Sequence, residues 1–208
     1  MQFLKENKLL AGVITVLVAL AIFMFAHSKG WAADKGGPIP GVSRAEAEQM
    51  FPTAPWTAFY VSAGVVTGSL TSDYGIGVDG WGINGRAGAD VQLDKLVFGG
   101  FCDAQWDHVN TSFLGTTVSA QEYGCGARAG VLPTPSTLVY GLVGYKWLYL
   151  SNNLGNTKGI DVGGGIETAV TKHWRLALEY NHIEWDALSA AREQTVMGRV
   201  IFAFPVGR

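Results

Sequence analysis

The chain has 208 residues, 48% hydrophobic and only 15% charged, with 28 glycines and 15 basic against 17 acidic side chains. That balance, with no basic stripe and no aromatic-basic cluster, excludes a nucleic-acid binder. It is also too apolar and glycine-rich for an ordinary soluble domain, yet beyond the N-terminus no apolar run is long enough for a membrane helix.

Lys5 and Lys8 precede an apolar run from Leu9 to Ala26, and small residues follow in SKGWAAD. A basic start, an apolar middle and a small-residue end predict a secretory signal peptide over residues 1–33, cut between Ser28 and Ala33. An uncleaved inner-membrane anchor is the alternative reading of that run. Removing residues 1–33 takes away three lysines and one glutamate, leaving 12 basic and 16 acidic side chains. Export places the product where its two cysteines can be oxidised. Residues 34–55 are rich in glycine and proline. Ser43 and Glu46 stand at capping-box spacing and Pro52 follows, so a periplasmic linker with one short helix is expected there.

From Trp56 onward, eight segments alternate apolar with polar or small residues: 56–67, 81–93, 96–106, 118–131, 137–149, 158–170, 174–185 and 195–204. Connections 94–95, 132–136 and 171–173 are tight; 68–80, 107–117, 150–157 and 186–194 are longer. An even number of strands, with short turns at one end and long loops at the other, predicts an all-β, eight-stranded antiparallel up-and-down transmembrane barrel over residues 56–204. Residues 205–208 are left as a C-terminal tail, with no wall-anchoring domain expected after the barrel.

Parity decides which face meets lipid. One set contains Phe59, Val61, Val65, Ile83, Val91, Phe98, Trp106, Tyr123, Trp147, Ile160, Trp174, Tyr180, Val200 and Phe204, and carries no charge until His182 and Glu184. The other set carries five basic residues (Arg86, Arg128, Lys146, Arg175, Arg199) and six acidic ones (Asp90, Asp103, Glu122, Asp161, Glu167, Glu179). A wide apolar face with aromatics towards strand ends suits a lipid belt, so the charged set is expected inside. An unpaired charge there is expensive, so the lumen charges should form a paired network. Eight strands leave little room for an aqueous channel, and a plugged barrel is expected.

Register follows from one turn. If Asp94-Lys95 is a two-residue hairpin, Leu93 faces Leu96, Arg86 faces Asp103 as an interior ion pair, and Gly88 faces Phe101. A register that sets Cys102 opposite Cys125 in the next hairpin also sets Gly126 opposite Phe101, with the ring between two glycines. Backbone groups in hydrocarbon need partners, so the last strand must pair with the first.

WTAFYVSAGV, LVFGGFCDAQW, GIDVGGGIETAV, WRLALEYNHIEW and TVMGRVIFAF resemble the small outer-membrane beta-barrel proteins common in alphaproteobacteria, often called the porin family or OmpA-like barrel domain. The resemblance covers residues 56–204. It implies an abundant structural or surface protein of the bacterial outer membrane, inserted by the barrel assembly machinery, in contact with outer-membrane lipid and lipopolysaccharide.

Candidate chemistry is sparse. Cys102 and Cys125 share the lipid-facing parity on neighbouring strands. They form either a cross-strand disulfide or two small residues packed against acyl chains. Two cysteines without matching histidines exclude a zinc site. His182 and Glu184 are the outward polar pair near the outer rim. A few eight-stranded barrels modify lipid A, and one deacylase family has a serine two positions after its rim histidine. Here that position is Glu184, and Ser189 lies nearby without a fixed relation. His108 and His173 are expected to be solvated, in a loop and a turn. The glycines of GIDVGGGIE lie within a strand and make no phosphate loop. No catalytic residue, metal site or cofactor is expected. The expected function is structural, with envelope integrity and surface display. The alternatives are a lipid A acyl hydrolase or transferase, and a surface binding protein acting through loops 68–80 and 107–117.

Overall fold

In a computed structural model, the described residues are 55–71, 77–111, 116–150, 156–186 and 191–206. The eight strands are β1 (Ala58–Thr71), β2 (Gly77–Leu93), β3 (Leu96–Thr111), β4 (Thr116–Thr134), β5 (Thr137–Leu150), β6 (Asn156–Ala169), β7 (Trp174–Trp185) and β8 (Arg192–Pro205). Each pairs antiparallel with its sequence neighbour, and β1 closes on β8 from Ala58↔Pro205 to Thr71↔Arg192. Closure leaves no sheet edge. The signal peptide, the helix expected around Ser43 and Glu46, and the centres of the long loops lie outside the described residues.

The Asp94-Lys95 hairpin sets the register of the first half. Asp94 takes a left-handed backbone (φ 55°), which a short polar side chain tolerates. Leu93↔Leu96, Arg86↔Asp103 and Gly88↔Phe101 follow, then Phe101↔Gly126 and Cys102↔Cys125. Between β4 and β5 the strands run on to a two-residue turn at Pro135-Ser136, with a register shift between Val131 and Thr134. Pro133 lies in that interval and has no N–H to give the ladder. On the other edge, Leu132 N–H donates to the Lys95 carbonyl at 2.8 Å.

Strands reach further at the loop end than the hydrophobic pattern indicates. β3 runs to Thr111 and β4 begins at Thr116, so His108 sits in a strand rather than a loop. Apolar alternation stops where lipid stops, whereas the backbone ladder continues into water. The His108 ring is exposed but stacks on Trp81, centroids 5.2 Å apart. His173 does lie in a turn and is exposed; its ring stacks on Phe202 at 5.6 Å and its Nδ1 lies 3.1 Å from the Ala203 carbonyl oxygen.

The outer face is apolar along its belt, with His108, His182 and Glu184 outward towards the loop end. Phe59, Val65, Ile83, Phe98, Val143, Ile160, Val200 and Phe204 all point outward and are exposed, Val65 at 63%. Towards the loop end stand Trp81, Trp106, Tyr123 and Tyr149; towards the turn end, Phe59, Phe98, Trp174 and Phe204. These are the two aromatic girdles of a membrane belt.

Candidate functional site

Inside, all eleven charged residues assigned to the lumen are buried, none more than 8% exposed. The inside is not polar throughout, however. Trp56, Tyr60, Val97, Phe101, Leu138 and Ile201 belong to an apolar cluster at the turn end. Leu148, Ile183, Trp185 and Ala191 form a second cluster at the loop end. The ionic layer lies between. Inward parity fixes exposure, not polarity.

That middle layer is built strand by strand. Arg86 on β2 donates through Nε and Nη2 to Asp103 Oδ2 on β3, at 3.2 and 2.8 Å. It then reaches across the lumen to Glu179 on β7, at 2.8 and 3.0 Å. Glu179 is the hub. It also accepts from Tyr140 Oη at 2.8 Å, Asn181 Nδ2 at 3.0 Å and Arg199 Nη2 at 3.4 Å. Arg199 further donates to Asn84 Oδ1.

A second group lies nearer the turn end. Arg128 on β4 holds Asp90 through two nitrogens, at 3.0 and 2.6 Å, and Glu167 at 2.8 Å. Arg175 donates to the other Glu167 oxygen at 3.1 Å and to the Pro55 carbonyl at 2.9 Å. Towards the loops, Lys146 donates to Glu122 at 3.0 Å. Most of these carboxylates and guanidiniums thus satisfy one another where water is scarce, which is the condition under which buried charge is tolerated. Asp161, 1% exposed, is the exception, its Oδ1 having no hydrogen-bond partner among the described residues.

Phe101 stands opposite Gly88 and Gly126, as the register predicts. A Cβ at Gly126 would meet the Val143 carbonyl oxygen at 2.5 Å and the Phe101 ring at 2.8 Å, so that neighbour has to be glycine. At Gly88 the Tyr60 ring also comes within 2.5 Å of where a Cβ would stand. The Arg86 guanidinium lies over the Phe101 ring, 3.9 Å from its centroid.

The structure joins Cys102 and Cys125 in a disulfide between Cα atoms 4.0 Å apart, on the exposed outer face. The bond ties β3 to β4 across a sequence separation of 23. Replacing both cysteines with alanine is expected to cost about 2–3 kcal/mol, since a loop of that length loses its constraint on the unfolded chain. The temperature at which the compact, fast-migrating gel band converts to the unfolded one should fall. Equal midpoints would mean the ladder alone sets the stability of this hairpin.

His182 Nε2 and Glu184 Oε1 stand 3.6 Å apart, with side chains 33% and 72% exposed. The cross-strand partners of His182 are Val162 and Gln194, so no hydroxyl is placed opposite it. Ser189 lies outside the described residues. Among the described residues, no group of three or more His, Cys, Asp or Glu is placed to hold a metal ion.

The family model described as outer membrane protein beta-barrel domain matches residues 40–196. Among solved structures, Neisserial surface protein A is 18% identical, with 70% of this chain and 97% of that chain covered and a TM-score of 0.50. Ail, the attachment invasion locus protein of Yersinia pestis, is 13% identical, with 71% and 99% covered and a TM-score of 0.52. At such identities the likeness is one of fold. No curated protein sequence matches. A closed eight-stranded cylinder, greasy outside and ion-paired within, together with the matched domain, places this chain in the outer membrane protein beta-barrel domain family, in the bacterial outer membrane.

Proposed function

We propose that this barrel is a structural and surface protein of the envelope, with its turns towards the periplasm and its four long loops towards the outside. The observation that supports the reading is the interior: an ion-paired layer lies between apolar clusters towards the two ends, the arrangement expected of a plugged cylinder. Its closer kinship is with the small porin-family barrels of alphaproteobacteria, supported by the Gly, Phe and Trp placements in LVFGGFCDAQW and WRLALEYNHIEW. Residues 1–33 direct export, and the barrel assembly machinery inserts the product among outer-membrane lipid and lipopolysaccharide.

Two measurements test this together. In planar bilayers the purified barrel should give negligible single-channel conductance; steady openings would sink the plugged reading. Lipid A from cells with and without the protein should show identical acyl chains by mass spectrometry. Any gained or lost chain would favour a lipid A acyl hydrolase or transferase and turn attention to His182.

A further inference from the structure

We propose that a groove on the lipid-facing wall holds one acyl chain of an outer-leaflet lipopolysaccharide molecule, with the head of that lipid against Trp81 and His108. The groove has a volume of about 670 Å³ and crosses the seam where the barrel closes. Register explains it. Gly198 on β8 lies opposite Val65, and Ala63 on β1 lies opposite both Val200 and Gly85. Three outward positions on three consecutive strands therefore lack bulk. Val65, Ile83 and Trp106 wall one side, Val200 and Leu176 the other, and Leu178 with Ile166 closes the far end.

The barrel's own packing does not require this hollow. A Cβ at Gly85 would meet only the Ser62 carbonyl oxygen, at 3.9 Å. The empty volume therefore faces outward, towards whatever surrounds the cylinder.

In the outer membrane, only acyl chains or another apolar wall touch this belt. A second barrel is convex and rigid, so it would rest on the ridges at Val65, Ile83 and Val200 rather than enter between them. A flexible hydrocarbon chain fits. From β6 to β3 the groove spans six strands, about 24 Å across the ladder. Because strands tilt in such barrels, a line across them climbs the wall. It starts at Ile166, three residues from the turn end of β6, and finishes at Trp106, five residues from the loop end of β3.

The upper end fixes the leaflet. Trp81 and His108 are cross-strand partners in the next outward row above Ile83 and Trp106, and both are exposed. Their ring N–H groups supply donors at the height where a lipid head presents phosphate and ester oxygens. A head at the loop-end rim belongs to the outer leaflet, hence the choice of lipopolysaccharide over phospholipid.

The inference rests on the loops-outward orientation given above, and the conductance test of the plugged lumen stands whichever lipid is found. The barrel is purified from outer membranes in mild detergent and its retained lipid is identified by native mass spectrometry. Wild type should carry one lipopolysaccharide molecule. Gly85→Phe fills the groove from outside and should lower that occupancy roughly ten-fold or more, since even two displaced methylenes are worth that much. Ala63→Phe, at an exposed position, should do the same. Gly141→Phe serves as control, because Gly141 faces outward on β5 and a Cβ there meets only the Gly163 carbonyl oxygen, at 3.8 Å. It should retain the lipid. Heat-modifiable gel migration confirms that each variant is folded. Retained phospholipid in place of lipopolysaccharide, undiminished lipid in both groove variants, or equal loss in the Gly141 control would each overturn the proposal.

Discussion

Replacing Glu179 with alanine is expected to destabilise the folded barrel by about 3–5 kcal/mol, the range found when one partner of a buried ion pair is removed. Glu179 accepts from two arginines, one asparagine and one tyrosine, and its side chain is fully buried. Alanine leaves Arg86 with Asp103 alone and takes from Arg199 its nearest carboxylate oxygen. Neither guanidinium can turn to solvent, since both residues are at most 4% exposed. Glu179→Gln keeps the shape and one acceptor oxygen, so it should fall between wild type and alanine. The measurement is the urea concentration at which the fast-migrating band is half lost after equilibration in detergent. A Glu179→Ala midpoint indistinguishable from wild type would show that the cross-lumen pairs contribute nothing net.

Trp56→Ala should match that loss, at about 3–5 kcal/mol, for a different physical reason. Trp56 has no exposed surface and anchors the apolar cluster at the turn end. Its Nε1–H donates to the Pro135 carbonyl at 3.1 Å, and the Arg175 guanidinium lies 4.4 Å from its ring centroid. Truncation opens a cavity beneath the ionic layer and bares Arg175. Trp56→Phe retains most of the volume and loses the single hydrogen bond, so it should cost only about 1 kcal/mol. In bilayers Trp56→Ala should still conduct negligibly, because the ion-paired layer above remains. Steady current from this variant would mean that Trp56 alone closes the lumen.

Strand number, closure and the pairing of β2, β3 and β4 were legible because strand geometry repeats every two residues. Once Asp94-Lys95 is a tight turn, parity leaves no freedom, and Arg86 meets Asp103 without further information. Parity says only in or out, however. It cannot tell which residues meet across the lumen, so the Arg86–Glu179 pair, 93 residues apart, has no sequence signal. Nor does side-chain polarity separate an inward Leu138 or Tyr140 from an outward Val139, since all three are apolar or nearly so. Trp56, at the first position of its segment, gave no sign that it anchors the apolar cluster at the turn end. The lipid-facing hollow was equally invisible. Gly198, Ala63 and Gly85 come together only when the last strand meets the first.

The Cys102–Cys125 bond sits on the exterior wall, within the belt wetted by hydrocarbon. Thiolates, the species that exchange disulfides, are unstable in that medium, and aqueous oxidoreductases do not enter it. Sulfur chemistry must therefore finish while the chain is still in the periplasm. Once inserted, the hairpin keeps whatever redox state it brought, and the membrane itself acts as the lock on that choice.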